Sequence, residues 1–359
     1  MTRTDWKIAP PDVEAANAAR ARVDALTKPL GSLGRIEALA VQLSAIAGRV
    51  VDRAYDRKAI LIGAGDHGVT EEGVSAYPAE VTPQMVDAFL GGHAAINAFA
   101  RAAHADVYVA NFGVCGPSGP HDLLLDLCVA PGTANFARGP AMTAGQAAAA
   151  LAAGARAVDE VLARAPYDVL ALGDMGIGNT TSAAALVAIL TGADAAGVTG
   201  RGTGIGDERL ARKREIVAAA AARFPARAAG DAEFAMAVAA GVGGFEIVGL
   251  AGAILAAAAR RVPIVLDGYI VAAAALIAQR IAPVAIGYCI AAHRSQEPGH
   301  RIALEALALE PLFDLGLRLG EASGAALALP IVEAASRMIA EMQTFAEAGV
   351  ATETGAAPS

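Results

Sequence analysis

Short apolar runs alternate with longer helical patterns through most of this chain, and that alternation restricts the fold more than any other feature. Runs at 59–63, 105–114, 168–173 and 262–266 are rich in Ala, Val, Ile and Leu and read as buried strands. Between and after them, apolar residues recur at three- and four-residue intervals over 82–99, 143–165 and 180–190, and again from Tyr269. Strand, helix, strand in succession predicts an α/β fold: a mostly parallel sheet with helices on both faces. Ligands in such folds sit at the carboxyl ends of the strands.

The two ends of the chain read differently. Residues 11–48 are helical around a break at Thr27-Lys28-Pro29-Leu30-Gly31-Ser32-Leu33-Gly34, and the last third adds Ala/Leu helices. One of these spans 321–343, with a kink or break expected at Pro330, and the tail 349–359 has little apolar surface with which to fold. No solenoid-type repeat is present. A length of 359 residues is about two domain lengths.

Charge narrows the function. With 28 Lys+Arg against 36 Asp+Glu the net charge is −8, which opposes binding to nucleic acid or to an anionic membrane. Only 4% of residues are aromatic, so stacking platforms for bases are scarce. Mean hydropathy is +0.46, yet the long apolar stretch 242–259 contains Glu246 and the next is interrupted at Asp267. Carboxylates at such places favour buried helices over membrane spans. Cys115, Cys128 and Cys289 are odd in number and lack CxxC spacing, and the N-terminus has no signal-peptide apolar core. The expected location is the cytoplasm.

Three glycine loops can carry chemistry. Gly63-Ala64-Gly65-Asp66-His67-Gly68 matches the GxGxxG spacing of a dinucleotide site, but Gly73 and Pro78 break the helix that would hold a pyrophosphate. A nicotinamide-dinucleotide oxidoreductase and a plain glycine turn both stay open there. Gly173-Asp174-Met175-Gly176-Ile177-Gly178-Asn179-Thr180-Thr181-Ser182 follows a strand and opens an alanine-rich helix. Its amides can converge on an anion, with Asn179 or a threonine as helix cap, and it lacks a P-loop lysine. It reads as a monophosphate site, in an enzyme or a nucleotide-sensing protein, or as an ordinary capped helix start. The third loop, Gly200-Arg201-Gly202-Thr203-Gly204-Ile205-Gly206, precedes Asp207 as a candidate cap and a helix with Arg212, Lys213 and Arg214. Lys213 is either a point charge for a phosphate or part of a solvated basic face.

Two further clusters stand out. His293, Glu297 and His300 suggest a metal site, but Pro298 and Gly299 break the helix that would place them on one face, so no metal is expected. Glu321 stands at the head of the apolar Ala/Leu segment, with Arg318 as the nearest cation in sequence. It is either a helix-start acid favoured by the dipole or a buried general base whose pKa burial would raise.

Taken in order, Thr27-Lys28-Pro29-Leu30-Gly31-Ser32-Leu33, Asp66-His67-Gly68-Val69, Val81-Thr82-Pro83-Gln84-Met85, the loops at Gly173 and Gly200, His293-Arg294-Ser295 and Arg318-Leu319-Gly320-Glu321 are a familiar set. The chain resembles the nicotinate-nucleotide-dimethylbenzimidazole phosphoribosyltransferase family. The resemblance implies a Rossmann-like sheet domain over 51–310, a smaller helical domain built from 1–50 and 311–359, and a homodimer. It implies nicotinate mononucleotide and dimethylbenzimidazole as substrates, and no cofactor. Glu321 matches the catalytic base. Gly176, Gly178, Asn179, Thr180, Thr181, Gly202, Gly204 and Lys213 match the nucleotide-phosphate region, and Gln84 and Met175 the base-binding region. Two places depart from the pattern: Asp174, carried as a secondary acid, stands where the family commonly has Glu, and Ala322-Ser323 where it has Gly-Thr.

Overall fold

The computed structural model describes residues 6–116, 119–224 and 231–351. Six strands are present: β1 (Lys58–Gly65), β2 (Ala105–Gly113), β3 (Leu124–Asp126), β4 (Val169–Met175), β5 (Ile264–Leu266) and β6 (Cys289–Ala291). All pair in parallel in one sheet of order β3-β2-β1-β4-β5-β6. Every residue of β1 and β4 is buried, as strands covered on both faces require. The order reverses between β1 and β4, and the crevice outside their carboxyl ends is where such sheets bind ligands.

The four expected strands correspond to β1, β2, β4 and β5. β3 and β6 have no counterpart among the expected strands, because three residues are too few to carry a pattern. The helix expected over 82–99 is two, Val81–Leu90 and Ala95–Ala103, divided at Gly91-Gly92, where Gly92 takes φ +77°. Of the kink or break expected at Pro330, a break does not occur: the helix Ser323–Glu341 runs through it. Pro330 is exposed while Ala325, Ala326, Ala328 and Leu329 are wholly buried, and that burial outweighs one missing N–H donor. The tail from residue 352 lies outside the described residues.

The chain divides into two compact units, one of 57–329 with the segment before Pro10, the other of Pro10–Asp56 with the chain from Pro330 onward. Residues 51–56 thus go with the smaller unit and 311–329 with the larger. The smaller unit holds the helices Val13–Ala25 and Arg35–Ala47. Asp12 caps the first by accepting from the Ala15 amide at 2.8 Å, and Arg22 reaches the Ile339 carbonyl at 2.9 Å. In the loop between the helices, Lys28 pairs with Glu37 at 2.9 Å.

In the larger unit the stretch containing Glu246 is the helix Phe245–Ala259, buried from Phe245 through Ala258. One described helix, Ser323–Glu341, is long and apolar enough to cross a membrane, with 61% of its apolar window buried in the protein. The helices Ala144–Arg164 and Phe245–Ala259 approach so closely that a Cβ on Gly154 would run into the Gly249 carbonyl, and one on Gly252 into that of Leu151. Gly154→Ala is expected to cost about 2 to 3 kcal/mol in urea unfolding, because no rotamer change relieves a clash with backbone. A gain in stability of about 1 kcal/mol, the propensity effect alone, would contradict this packing.

Candidate active site

A cleft of about 730 Å³ opens beyond the carboxyl end of β4. The segment from Asp174 to Thr180 forms one wall, Gly202 and Thr203 a second, and Gly316 to Leu319 with Glu321 a third. Val74, Tyr77, Val81 and Met85 supply an apolar side. Apolar walls beside polar backbone suit a ligand with an aromatic ring at one end and a charge at the other.

The polar end is built on the helix Asn179–Thr191. Its N-cap is Gly178, at φ +95° and with no side-chain cap. The expected cap from Asn179 or a threonine is therefore absent, and the side chains show why. Asn179 gives its Nδ2 hydrogen to Asp174 Oδ2 at 2.9 Å, and the Thr180 hydroxyl accepts from Lys213 Nζ at 2.8 Å. Thr181 is fully buried away from the cleft. The Ile177, Asn179 and Thr181 amides are taken by Thr82 Oγ1, the Gly176 carbonyl and the Gly178 carbonyl. The Gly178 and Thr180 amides have no protein acceptor among the described residues. Two free donors at a helix N-terminus can cradle an anion.

Lys213 stands directly behind this cradle, its side chain fully enclosed. Burial lowers its pKa to about 8, with the Glu297 carboxylate pulling the other way. Gly202, at φ +51°, leaves the space that Thr180 and Lys213 need: a Cβ there would lie 2.6 Å from Thr180 Oγ1 and 3.3 Å from Nζ. The Gly202 amide is occupied by Glu297 Oε1 at 3.0 Å. Gly204 lines a separate groove with Arg201, Arg214 and Arg318. Asp207 is not a cap. Gly206 holds that position, while Asp207 pairs with Arg201 at 2.5 Å.

The other end carries the acids. Glu321 lines the cleft, buried, with Oε2 lacking a hydrogen-bond partner, and burial raises its pKa against the hydrogen bond from the Ile96 amide. Asp174, at the end of β4, is pushed well above the carboxylate range by burial and then by Asp267, against Asn179; Glu246 and Glu321 add to the rise. Asp267, just past β5, is raised to about 7 by burial although backbone amides oppose it. Crowded carboxyls resist ionising together, so this cluster can take up a proton near neutral pH.

The backbone at Glu321 is strained. Gly320, Glu321 and Ala322 take φ of +87°, +61° and +67° in succession. Left-handed geometry costs a non-glycine residue about 1 to 2 kcal/mol, and both Glu321 and Ala322 bear that cost.

His67 lies outside the cleft. Its Nδ1 meets Ser182 Oγ at 3.0 Å and its Nε2 meets Glu246 Oε1 at 2.6 Å, all enclosed, tying the first turn of the cradle helix to the helix Phe245–Ala259. Gly63 and Gly65 belong to β1, and the short 3-10 turn Gly68–Glu72 follows in place of a dinucleotide helix. His293 stacks on Phe313, His300 Nδ1 accepts from the Ser295 amide at 2.9 Å, and Glu297 serves Gly202. Among the described residues no cluster of three side chains is placed to hold a metal.

A family model described as phosphoribosyltransferase, of the DBI_PRT type, matches residues 8–350. A protein of Chloroflexus aggregans called nicotinate-nucleotide-dimethylbenzimidazole phosphoribosyltransferase is 49% identical over 350 residues, 98% of each chain. One of Thermus thermophilus with the same name is 51% identical over 339 residues, covering 94% of this chain and 99% of that one. The chain belongs to the nicotinate-nucleotide-dimethylbenzimidazole phosphoribosyltransferase family. The crystal structure of CobT from Thermus thermophilus superimposes with a TM-score of 0.90 at 50% identity, over 95% of this chain and 100% of that one.

Within this phosphoribosyltransferase, Asp174, Met175, Gly176, Gly178, Asn179, Thr180, Gly202 and Glu321 share one cleft. Lys213 joins it through Thr180, whereas Thr181 and Gly204 do not line it. Gln84 is exposed on the helix whose Val81 and Met85 face inward, and is not a lining residue. Asp267 as a member of the acid cluster, and Leu317 and Leu319 as walls, emerge only from the fold. An acid closing an apolar strand run, as in Leu266-Asp267, was the available signal, since strand ends are where such sheets act.

Proposed function

We propose that this phosphoribosyltransferase moves the phosphoribosyl group of nicotinate mononucleotide to 5,6-dimethylbenzimidazole, giving α-ribazole 5′-phosphate and free nicotinate for assembly of the cobalamin nucleotide loop. The single observation that carries this reading is the pairing, in one cleft, of an uncapped helix N-terminus with a buried carboxylate that has one oxygen free of hydrogen bonds. The 5′-phosphate takes the Gly178 and Thr180 amides, with Lys213 behind them. The apolar side at Val81, Met85 and Met175 takes the benzimidazole.

The nucleotide carries its own leaving group: the pyridinium departs from ribose C1′ as neutral-ring nicotinate, taking the C–N bonding pair. One benzimidazole nitrogen attacks C1′ from the opposite face, so the β-glycosidic bond becomes α. The other nitrogen must lose its proton, and Glu321 accepts it, cancelling the positive charge that develops on the ring. Holding both reactants in one cleft supplies orientation. Asp174, with one oxygen given to Asn179, acts as a secondary acid that keeps charge off this end of the cleft.

Incubating the protein with nicotinate mononucleotide and dimethylbenzimidazole should release nicotinate and form the α-ribotide in equal amounts. Binding without either product would overturn the reading. A cytoplasmic homodimer belongs to the same proposal.

A further inference from the structure

We propose that Asp267 is a positioning residue for the transfer: it caps the helix Ser323–Glu341 from another strand and thereby holds the Glu321 carboxylate in the cleft. The inference rests on Glu321 being the base. Three successive left-handed residues, Gly320 to Ala322, lead into that helix, and an unsupported chain relaxes from such a conformation. Something outside the turn must hold it.

The usual local device is unused. Ser323 is of the residue type that caps a helix, yet its buried hydroxyl has no partner. Asp267 fills that role from the end of β5. The Ala325 amide donates to its Oδ1 at 2.9 Å, and the Gly324 and Ala322 amides also draw on the carboxylate. The residues drawn toward it thus begin immediately after Glu321.

Two packed contacts close the clamp. Gly324 packs against the His293 ring, where a Cβ would collide with it, and the same ring places Nε2 3.7 Å from Asp267 Oδ1. On the other side Gly173 leaves no room for a Cβ against Ala322, and the Glu321 amide donates to the Asp174 carbonyl at 3.2 Å. The turn is therefore gripped between β4 and the capping carboxylate, and Glu321 has its backbone position set from both sides. Asp267 does not line the cleft, so it acts through Glu321.

The test is a double-mutant cycle on the full chain with both substrates. Asp267→Asn, which keeps one acceptor oxygen for the Ala325 amide, should lower kcat about tenfold. Asp267→Ala should lower it about a hundredfold. KM for nicotinate mononucleotide should stay within about threefold in both. In the Glu321→Gln background Asp267→Asn should change kcat less than about twofold, since the group it positions can no longer take a proton. A further tenfold loss in that background, or a tenfold rise in KM with kcat kept, overturns the positioning role while leaving the base assignment standing. Full turnover by Glu321→Gln alone overturns both. If Asp267→Ala does not fold, as thermal melting will report, the asparagine cycle decides.

Discussion

Glu321→Gln is expected to lower kcat by roughly 10² to 10⁴-fold, the range for losing a general base, with KM for nicotinate mononucleotide little changed. Glutamine has the shape of glutamate, so the turn at Gly320 to Ala322 and its packing against Gly173 should survive. What is lost is the ability to accept the proton that leaves the benzimidazole. Because burial raises the Glu321 pKa, the wild-type rate should climb with pH through a value above the usual glutamate range, as the base becomes ionised. The variant should lack that acid limb. Steady-state kinetics from pH 5 to 8 measure both features, and unchanged turnover would reject the role.

Lys213→Ala is expected to weaken nicotinate mononucleotide by about 10- to 100-fold, because the positive charge behind the Gly178 and Thr180 amides is lost together with its hydrogen bond to Thr180, while dimethylbenzimidazole binds within about twofold of wild type. Equal weakening of both substrates would count against a phosphate contact. The pH dependence gives a second reading. With a pKa of about 8 in the free enzyme, Lys213 loses its charge as pH rises through that value, so KM for the nucleotide should increase above pH 8. In Lys213→Ala that rise should disappear.

The same lysine leaves a signature in stability. Its folded pKa of about 8 lies below its ordinary 10.5, so between these values the unfolded chain binds more protons and stability rises with pH. Below pH 8 the buried ammonium opposes folding by about 3 kcal/mol at full shift. Lys213→Met, which keeps the packing, should therefore unfold at higher urea than wild type at pH 7, and the difference should shrink toward pH 10. A destabilised Lys213→Met at pH 7 would mean that the Thr180 contact outweighs the burial cost.

Much of the scaffold was legible in the sequence because its signals are local. β1, β2, β4 and β5 announce themselves as runs of branched apolar residues. The glycine loop after β4 is visible as a break between a strand and a helix. The misreadings are equally physical. Gly91-Gly92 divides a helix whose apolar spacing continues on either side. Pro330 does not divide one, because burial of the neighbouring apolar side chains compensates. Asn179 and Asp207 are good capping residues by type, but Asp174 and Arg201 engage their side chains first.

Local pattern was enough to read the alternation of strand and helix, the family, the glycine loop after β4 and the acid at the head of an apolar helix. Which groups act together is set by the packing of distant segments. Asp174, Asp267 and Glu321 are far apart in the chain, and their mutual electrostatic influence exists only once β4, β5 and the turn before Ser323 converge. Lys213 meets Thr180, and His67 meets Glu246, for the same reason. A residue's type sets what it can donate, accept or ionise. Burial and neighbours, which no local pattern records, set whether it does.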